Sequence, residues 1–325
     1  MPKARFNSKL MLTTSDIADL LEVHPSTVKR WCNEGEIPSS KTGGGHRRIH
    51  LRDALEFAGE REIRTRLDPF RPYEAHVWSA LQGMRTSGDA SRAISLSMGW
   101  LTQGHAERIR SLIAVLADLP DLPLSVLFDD FIFGLMYEVG EAWRAGTLRV
   151  ASEHLISQVV IQSLFELGAR RDPRTPDDAP VPPTAVVGAM EGDQHHIGAL
   201  CIRVILERMG WRVIYLGPDV PVEEFSGTQL DQGASLVCVS FSPPHNAADI
   251  RRAVRILGQF YRSEKPFALA VGGAGVLEPS EILLADGPFA GQEIFRSTSD
   301  FIEWVRALDP VRTPEDGLTT KAGNH

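Results

Sequence analysis

Cysteine is scarce: the 325-residue chain holds three, Cys32, Cys201 and Cys238. They are odd in number, far apart and set in apolar or helical patterns, which argues against a disulfide framework and against a cysteine zinc site. Long hydrophobic runs are missing as well. No segment approaches about 18 uninterrupted apolar residues, and the opening Met-Pro-Lys-Ala-Arg-Phe-Asn-Ser-Lys has no apolar signal core, so a cytoplasmic protein without a membrane partner is expected. The apolar fraction of 43 % is ordinary for a globular protein, and the length suffices for two or three domains, each with its own core.

Positive charge is short overall, with a net charge of −8, but the deficit is uneven. Residues 1–52 carry nine Lys/Arg against five Asp/Glu, a net +4, which leaves −12 for the remainder. A basic head on an acidic body predicts a DNA-binding module joined to something else.

The head parses with little freedom. Thr14 or Ser15 before Asp16, followed by Ile17, Leu20 and Leu21, predicts a short helix, and Glu22-Val23-His24 a tight turn. Pro25 suits the first turn of a second helix, where its missing N–H has no intrahelical partner, and Val28 with Trp31 supplies a buried face. Ser26, Thr27, Lys29 and Arg30 then face outward, as a helix read into a major groove requires. After Gly35, two short strands around Gly43-Gly44-Gly45 would leave His46, Arg47 and Arg48 on a protruding edge, placed for phosphate or minor-groove contact. A basic helical hairpin used for protein contact is the alternative. This stretch resembles the winged-helix head of MerR-family transcription regulators, including its Gly-Gly-His-Arg-Arg wing. That resemblance implies double-stranded operator DNA as a partner.

From Glu74 to Arg171 the pattern is helical, with breaks near Gly88, Gly104, Asp121-Leu122-Pro123 and Gly146; four or five helices in a bundle are expected. Within it Trp143 is followed after nine residues by Glu153-His154. The last helix is expected to begin at a Ser152 cap or nearer Thr147, so Trp143 falls late on one helix and the Glu-His pair early on the next. Taken alone, such a Trp is usually core and such a pair usually a solvated first turn.

The Pro- and Asp-rich stretch around 172–183 reads as an extended linker. Beyond it strands and helices alternate: 184–190, 211–216, 235–241 and 267–271 as strands, 198–209, 222–232 and 247–261 as helices. Short connections of this kind predict a doubly wound parallel sheet, which binds ligands beyond the carboxyl ends of its strands. Three unusual loops occupy such ends. Asp193-x-His195-x-x-Gly198 is followed after 41 residues by Ser240-x-Ser242 and after 29 more by Gly272-Gly273. A flavodoxin-like domain with incidental loop residues is the bland reading. The series resembles the cobalamin-binding domain of methionine synthase, corrinoid methyltransferase proteins and mutases, with Ser242 standing where that family more often has Leu, Thr or Val. An imidazole is a suitable donor to cobalt and needs a partner on its other nitrogen, which Asp193 can be. The resemblance implies that His195 is the lower axial cobalt ligand, displacing the cofactor's own nucleotide base. It further implies that Gly198 lets a helix start close beneath the corrin and that Ser240, Ser242 and Gly272-Gly273 line the cleft for the nucleotide tail. His196 has no part in the signature.

The fold class expected is therefore multidomain: a winged helix-turn-helix over 1–70, an all-α bundle over 71–171, and an α/β flavodoxin-like, Rossmann-type domain over 184–310. Residues 311–325, without an apolar pattern, read as a disordered tail. In this order the three parts resemble the CarH/LitR light-dependent repressors. That resemblance implies that Trp143, Glu153 and His154 surround the adenosyl group of adenosylcobalamin, that the dark state is a homo-oligomer, dimer to tetramer, gripping DNA, and that light dissociates it. It implies no enzyme. Arg144 departs from the pattern, because the well-studied members carry a cobalt-capturing histidine there and arginine, always protonated, cannot ligate cobalt. Another cobalamin form, a second chromophore or a lost light response are the openings this leaves. A light-independent cobalamin or tetrapyrrole sensor and a corrinoid methyl-transfer protein are the competing functions.

Overall fold

The computed structural model describes residues 10–168, 181–276 and 287–308. Most of the linker and all of the expected disordered tail lie outside them. The chain divides into two compact units, residues 1–156 and 157–325.

The first unit opens with β1 (Met11–Leu12) and α1 (Thr14–Leu21). Thr13 caps α1 through a reciprocal box with Asp16, one residue ahead of the cap expected. Glu22, at φ 53, ends it, and α2 (Pro25–Asn33) follows with Pro25 in its first turn. Ile17, Leu20, Leu21, Val28 and Trp31 are buried, so the two helices lock through the stripe the sequence shows. β2 (Ser40–Lys41) and β3 (Arg47–His50) form the wing, and β1 adds to the other side of β3. Arg47 and Arg48 therefore lie on the central strand of a three-stranded sheet and are half-buried, a correction to the edge position expected; His46 alone of the three sits exposed in the turn.

After α3 (Leu51–Glu60) come α4 (Glu74–Ser87), α5 (Ser91–Gln103), α6 (Ala106–Ala117) and α7 (Phe133–Arg144), with a π-helical stretch at Val126–Ile132 leading into α7. Phe70, Trp100, Phe128 and Phe131 fill the core between them. The last bundle helix, α8 (Val150–Gly168), starts between the two beginnings expected from sequence. The head is tied to these helices by Arg85 of α4, which reaches Asp19 of α1 at 3.7 Å while pairing with Asp121 at 2.8 Å; within the head Arg66 pairs with Glu22 at 3.0 Å.

The second unit is built on β4 (Thr184–Met190), α9 (Ile197–Arg208), β5 (Arg212–Val220), α10 (Val222–Gln232), β6 (Leu236–Ser240), α11 (Ala247–Phe260), β7 (Ala268–Gly272), β8 (Gly291–Phe295) and α12 (Thr298–Ala307). Its five strands are parallel in the order β5-β4-β6-β7-β8. Val186, Val237, Val239, Leu269 and Val271 pack with Phe225, Ile250 and Phe267 in its core, the continuous apolar runs of a sheet covered on both faces. The order reverses between β4 and β6, so their carboxyl ends open a crevice at the switch point. β8 and α12 are additional to the elements read from sequence. β8, Gly-Gln-Glu-Ile-Phe, is a short edge strand with little apolar signal.

Candidate functional site

The loop after β4 meets the crevice. Asp193 is 2 % exposed, and its Oδ1 accepts the His195 backbone N–H at 2.8 Å, which turns the chain so that the His195 side chain, 81 % exposed, stands out from the sheet edge. His195 Nδ1 lies 3.5 Å from the same carboxylate oxygen, while Asp193 Oδ2 is buried with no hydrogen-bond partner among the described residues. A buried carboxylate with one free oxygen beside an exposed imidazole suits a ligand pair whose imidazole keeps its far nitrogen for a metal.

The loop is braced from both flanks. On the β5 side Asp219, at φ 58, accepts the Gly192 N–H at 2.7 Å and the Gln194 amide at 3.3 Å, and its own N–H donates to Asp193 O at 3.0 Å. On the β6 side the Ser242 hydroxyl donates to His195 O at 3.3 Å. That bond uses the Ser242 hydroxyl, which Thr could also supply at this position and Leu or Val could not. His196 turns inward against the ring of Tyr215, 6.5 Å between centroids, and burial pushes its imidazole below the ordinary value against the opposing pull of Asp193.

Ser240, Gly198 and Gly273 converge, although they are far apart in sequence. A Cβ on Gly198 would sit 3.4 Å from Ser240 Oγ. Gly273 has φ +107, and a Cβ there would lie 2.3 Å from Phe241 O and 2.9 Å from Ser240 Oγ. Only glycine fits that position. Gly272 closes β7, its carbonyl accepting the Phe241 N–H at 2.8 Å. The three loop motifs thus meet at Ser240, and Ser242 links this meeting point to the His195 backbone, so together they form one rim at the strand ends. Asp219 and His245 belong to this rim and were not legible in sequence, for their contribution is hydrogen bonding across strand ends rather than a motif.

In the first unit Trp143 lies in the last turn of α7 and is half exposed, as is unusual for an indole. Arg144 beside it pairs with Glu141 at 2.5 Å, which occupies its guanidinium on its own helix. Glu153 and His154 stand in the first turns of α8, with His154 Nδ1 3.0 Å from Glu153 Oε2. The α7–α8 turn is closed by Thr147 and Leu148, both bonded to Ala142 O, so Trp143 and the Glu-His pair occupy the two arms of one helical hairpin.

The head offers an exposed α2 face of Ser26, Lys29 and Arg30, with Thr27 half-buried. His24 caps α2 by accepting the Ser26 N–H at 3.2 Å, and its Nδ1 lies 2.7 Å from the Ser26 hydroxyl. Arg47 hydrogen-bonds Asn33 at the end of α2, tying wing to helix. Among the described residues no helix is long and apolar enough to cross a membrane. The three cysteines are free, and burial pushes the Cys238 thiol up.

Comparison with known proteins matches three segments of the chain. A helix-turn-helix domain model matches residues 11–61, and two B12 binding domain models match residues 100–167 and 183–296. The HTH-type transcriptional repressor CarA of Myxococcus xanthus is 24 % identical over 282 residues, covering 86 % of this chain and 92 % of that protein. The HTH-type transcriptional repressor CarH of the same organism is 31 % identical over 187 residues, 55 % of this chain and 57 % of that protein. Trimethylamine corrinoid protein 1 of Methanosarcina mazei is 29 % identical over 103 residues, 32 % of this chain and 47 % of that protein.

Proposed function

We propose that this chain, a CarH-type cobalamin-binding transcriptional repressor, binds adenosylcobalamin through His195 and releases operator DNA in response to light. The observation that carries the cobalamin part is the His195 loop itself: an exposed imidazole backed by a buried carboxylate with one unpaired oxygen, beside strand-end loops packed so closely that no Cβ fits at Gly273. These residues fit a corrin with a histidine as lower donor. When bound, adenosylcobalamin supplies an alkyl–cobalt bond that light can break.

The rest is done by the protein. Asp193, 3.5 Å from His195 Nδ1, is placed to accept a hydrogen bond from Nδ1–H, which would fix the tautomer and raise the basicity of Nε2. Ser240, Ser242, Gly198, Gly272 and Gly273 provide the open rim for the nucleotide tail. Trp143, Glu153 and His154 are the proposed contacts of the adenosyl group, the indole offering a flat apolar face to adenine. Ser26, Thr27, Lys29 and Arg30 read the major groove, and His46, Arg47 and Arg48 hold phosphate. A homo-oligomer, dimer to tetramer, gathers several heads on one operator. Linked heads bind in effect intramolecularly, so dissolving the assembly lowers DNA affinity by ~10²–10⁴ without altering any DNA contact. In this reading the protein is no enzyme and works in the cytoplasm.

Arg144 favours a second reading. It cannot replace a lost upper ligand, and its pairing with Glu141 keeps it occupied; a light-independent cobalamin sensor needs no such replacement. One experiment separates the two. The full chain is loaded with adenosylcobalamin in darkness, and its spectrum, mass by light scattering and operator binding are recorded before and after green light. Loss of the alkyl-cobalt spectrum with a fall in mass and DNA release supports the light switch. Unchanged mass and DNA binding in the light, with a cofactor-dependent change in the dark, sinks it in favour of the sensor.

A further inference from the structure

We propose that Tyr215 is a specificity-determining residue: its ring holds His196 inward, so that of two adjacent imidazoles His195 alone stands free to meet cobalt. The consequence for the cofactor rests on the cobalamin reading above; the sequestration of His196 does not.

Two histidines in succession offer a metal two donors of the same chemistry. The loop separates them by what lies against each ring. His195 is exposed and has the buried Asp193 carboxylate 3.5 Å from its Nδ1. His196 takes the N-cap position of α9, yet its side chain caps no backbone N–H; the ring lies edge-on to Tyr215 of β5, 6.5 Å between centroids with an interplanar angle of 89°. Both His196 nitrogens are buried without a hydrogen-bond partner among the described residues, and so is the Tyr215 hydroxyl. With no hydrogen bond made, ring packing is what holds the inward pose. A buried imidazole with both nitrogens unpaired gains by turning out to water, so the pose lasts only while Tyr215 keeps its place.

Tyr215 is itself fixed from behind. The ring of Phe165, on the part of α8 that belongs to the second unit, packs edge-on to it at 5.9 Å. The Arg203 guanidinium of α9 lies over both rings, 5.1 Å from the centroid of Phe165 and 5.9 Å from that of Tyr215. Arg203 is half-buried and pairs with Glu207 one turn further on at 2.9 Å. The Tyr215 backbone stands in register with Val187 of β4. The stack is therefore anchored on α8, α9 and β5, and His196 is the ring it holds at the ligand loop.

Modification of the cofactor-free full chain with diethyl pyrocarbonate, located by fragment-ion mass spectrometry, reads the sequestration. His195 should react at least ~10-fold faster than His196, whose nitrogens are reached only when the ring swings out. Tyr215→Leu takes away the edge-on ring and should bring the His196 rate close to that of His195. Tyr215→Phe removes a hydroxyl that bonds nothing and should leave His196 protected. Equal rates in the unaltered chain, an unchanged His196 rate in Tyr215→Leu, or exposure by Tyr215→Phe overturns the proposal. The rates in the unaltered chain need no substitution, so misfolding of a variant does not remove the test.

Adenosylcobalamin then tests the choice of ligand. Added to His195→Ala, the Tyr215→Leu change should restore part of the histidine-bound spectrum and about tenfold of the lost affinity, short of the whole because an imidazole without a carboxylate behind it is the weaker donor. A His196 that is freely modified yet restores neither shows that Tyr215 has no part in the choice. Failure of the unaltered chain to bind cobalamin overturns the function proposed above and leaves the modification rates standing.

Discussion

The loop around His195 and the α7–α8 hairpin carry the two sets of proposed cofactor contacts, and they are built in opposite ways. Asp193 is buried, Asp219 supports the loop with three hydrogen bonds, and Ser242 ties down the His195 carbonyl. On the hairpin, Trp143 is half exposed, His154 is 73 % exposed, and Arg144 pairs within its own helix. The first region is preorganised for a bond of fixed direction, as a metal ligand requires. The second presents exposed side chains from the two arms of a closed helical turn. In the proposed reading a sensor gains from that division: the anchor is held from several sides while the contacts proposed to tell one cofactor state from another stand on the surface.

The sharpest break of this contrast is His195→Ala. With the imidazole gone, cobalamin affinity should fall by more than ~100-fold and the histidine-bound spectrum should vanish, since an axial ligand outweighs the outer partners that alone are worth ~10–100-fold. Retained affinity with an unchanged spectrum would place the ligand elsewhere. Asp193→Asn comes next. It keeps an oxygen for the His195 N–H but weakens the acceptor facing Nδ1, so affinity measured by spectral titration should drop ~10–100-fold. Gly273→Ala attacks the rim without touching the ligand: a Cβ 2.3 Å from Phe241 O at φ +107 should cost about 1–3 kcal/mol in denaturant unfolding. An unaltered unfolding midpoint would mean that the rim yields easily.

Much of this was legible in sequence where the physics is local. The α10 boundaries, the proline start of α2 and the β4 span follow from capping, periodicity and apolar runs acting over a few residues. The motifs at 193–198, 240–242 and 272–273 were placed at strand ends by the same alternation, and the structure brings Gly198, Ser240 and Gly273 together. What stayed hidden depends on distant partners. Asp219 adopts its left-handed backbone because the Gly192 N–H and the Gln194 amide reach its carboxylate from another strand end. Nothing near residue 219 announces that. His245 likewise follows two prolines, a turn signal, and its carbonyl partner at Glu191 is 54 positions away. The central position of β3 depended on the two-residue β1, too short for any period to show.

The hairpin's half of the contrast is tested by Trp143→Ala. Because the indole holds no metal and braces no loop, the histidine-bound spectrum should persist while the preference for adenosylcobalamin over methylcobalamin falls about tenfold, the lower end of what a base–aromatic stack is worth. Equal losses for both cofactors would show instead that Trp143 supports the bundle and takes no part in discrimination.

The smallest effect expected carries the same distinction between tied and free side chains into the head. Arg47 is bonded to Asn33 and holds the wing against α2, whereas the Arg48 guanidinium has no hydrogen-bond partner among the described residues. Arg48→Ala should therefore lower the dependence of operator affinity on salt by about 0.9 in log–log slope, the signature of one phosphate left without its cationic partner. Arg47→Ala should lower the slope by as much and also weaken binding at every salt concentration, because the wing loses its tie to the recognition helix. If the two variants behaved alike, the Arg47–Asn33 bond would have no part in DNA binding, and both arginines would count simply as charges on the wing.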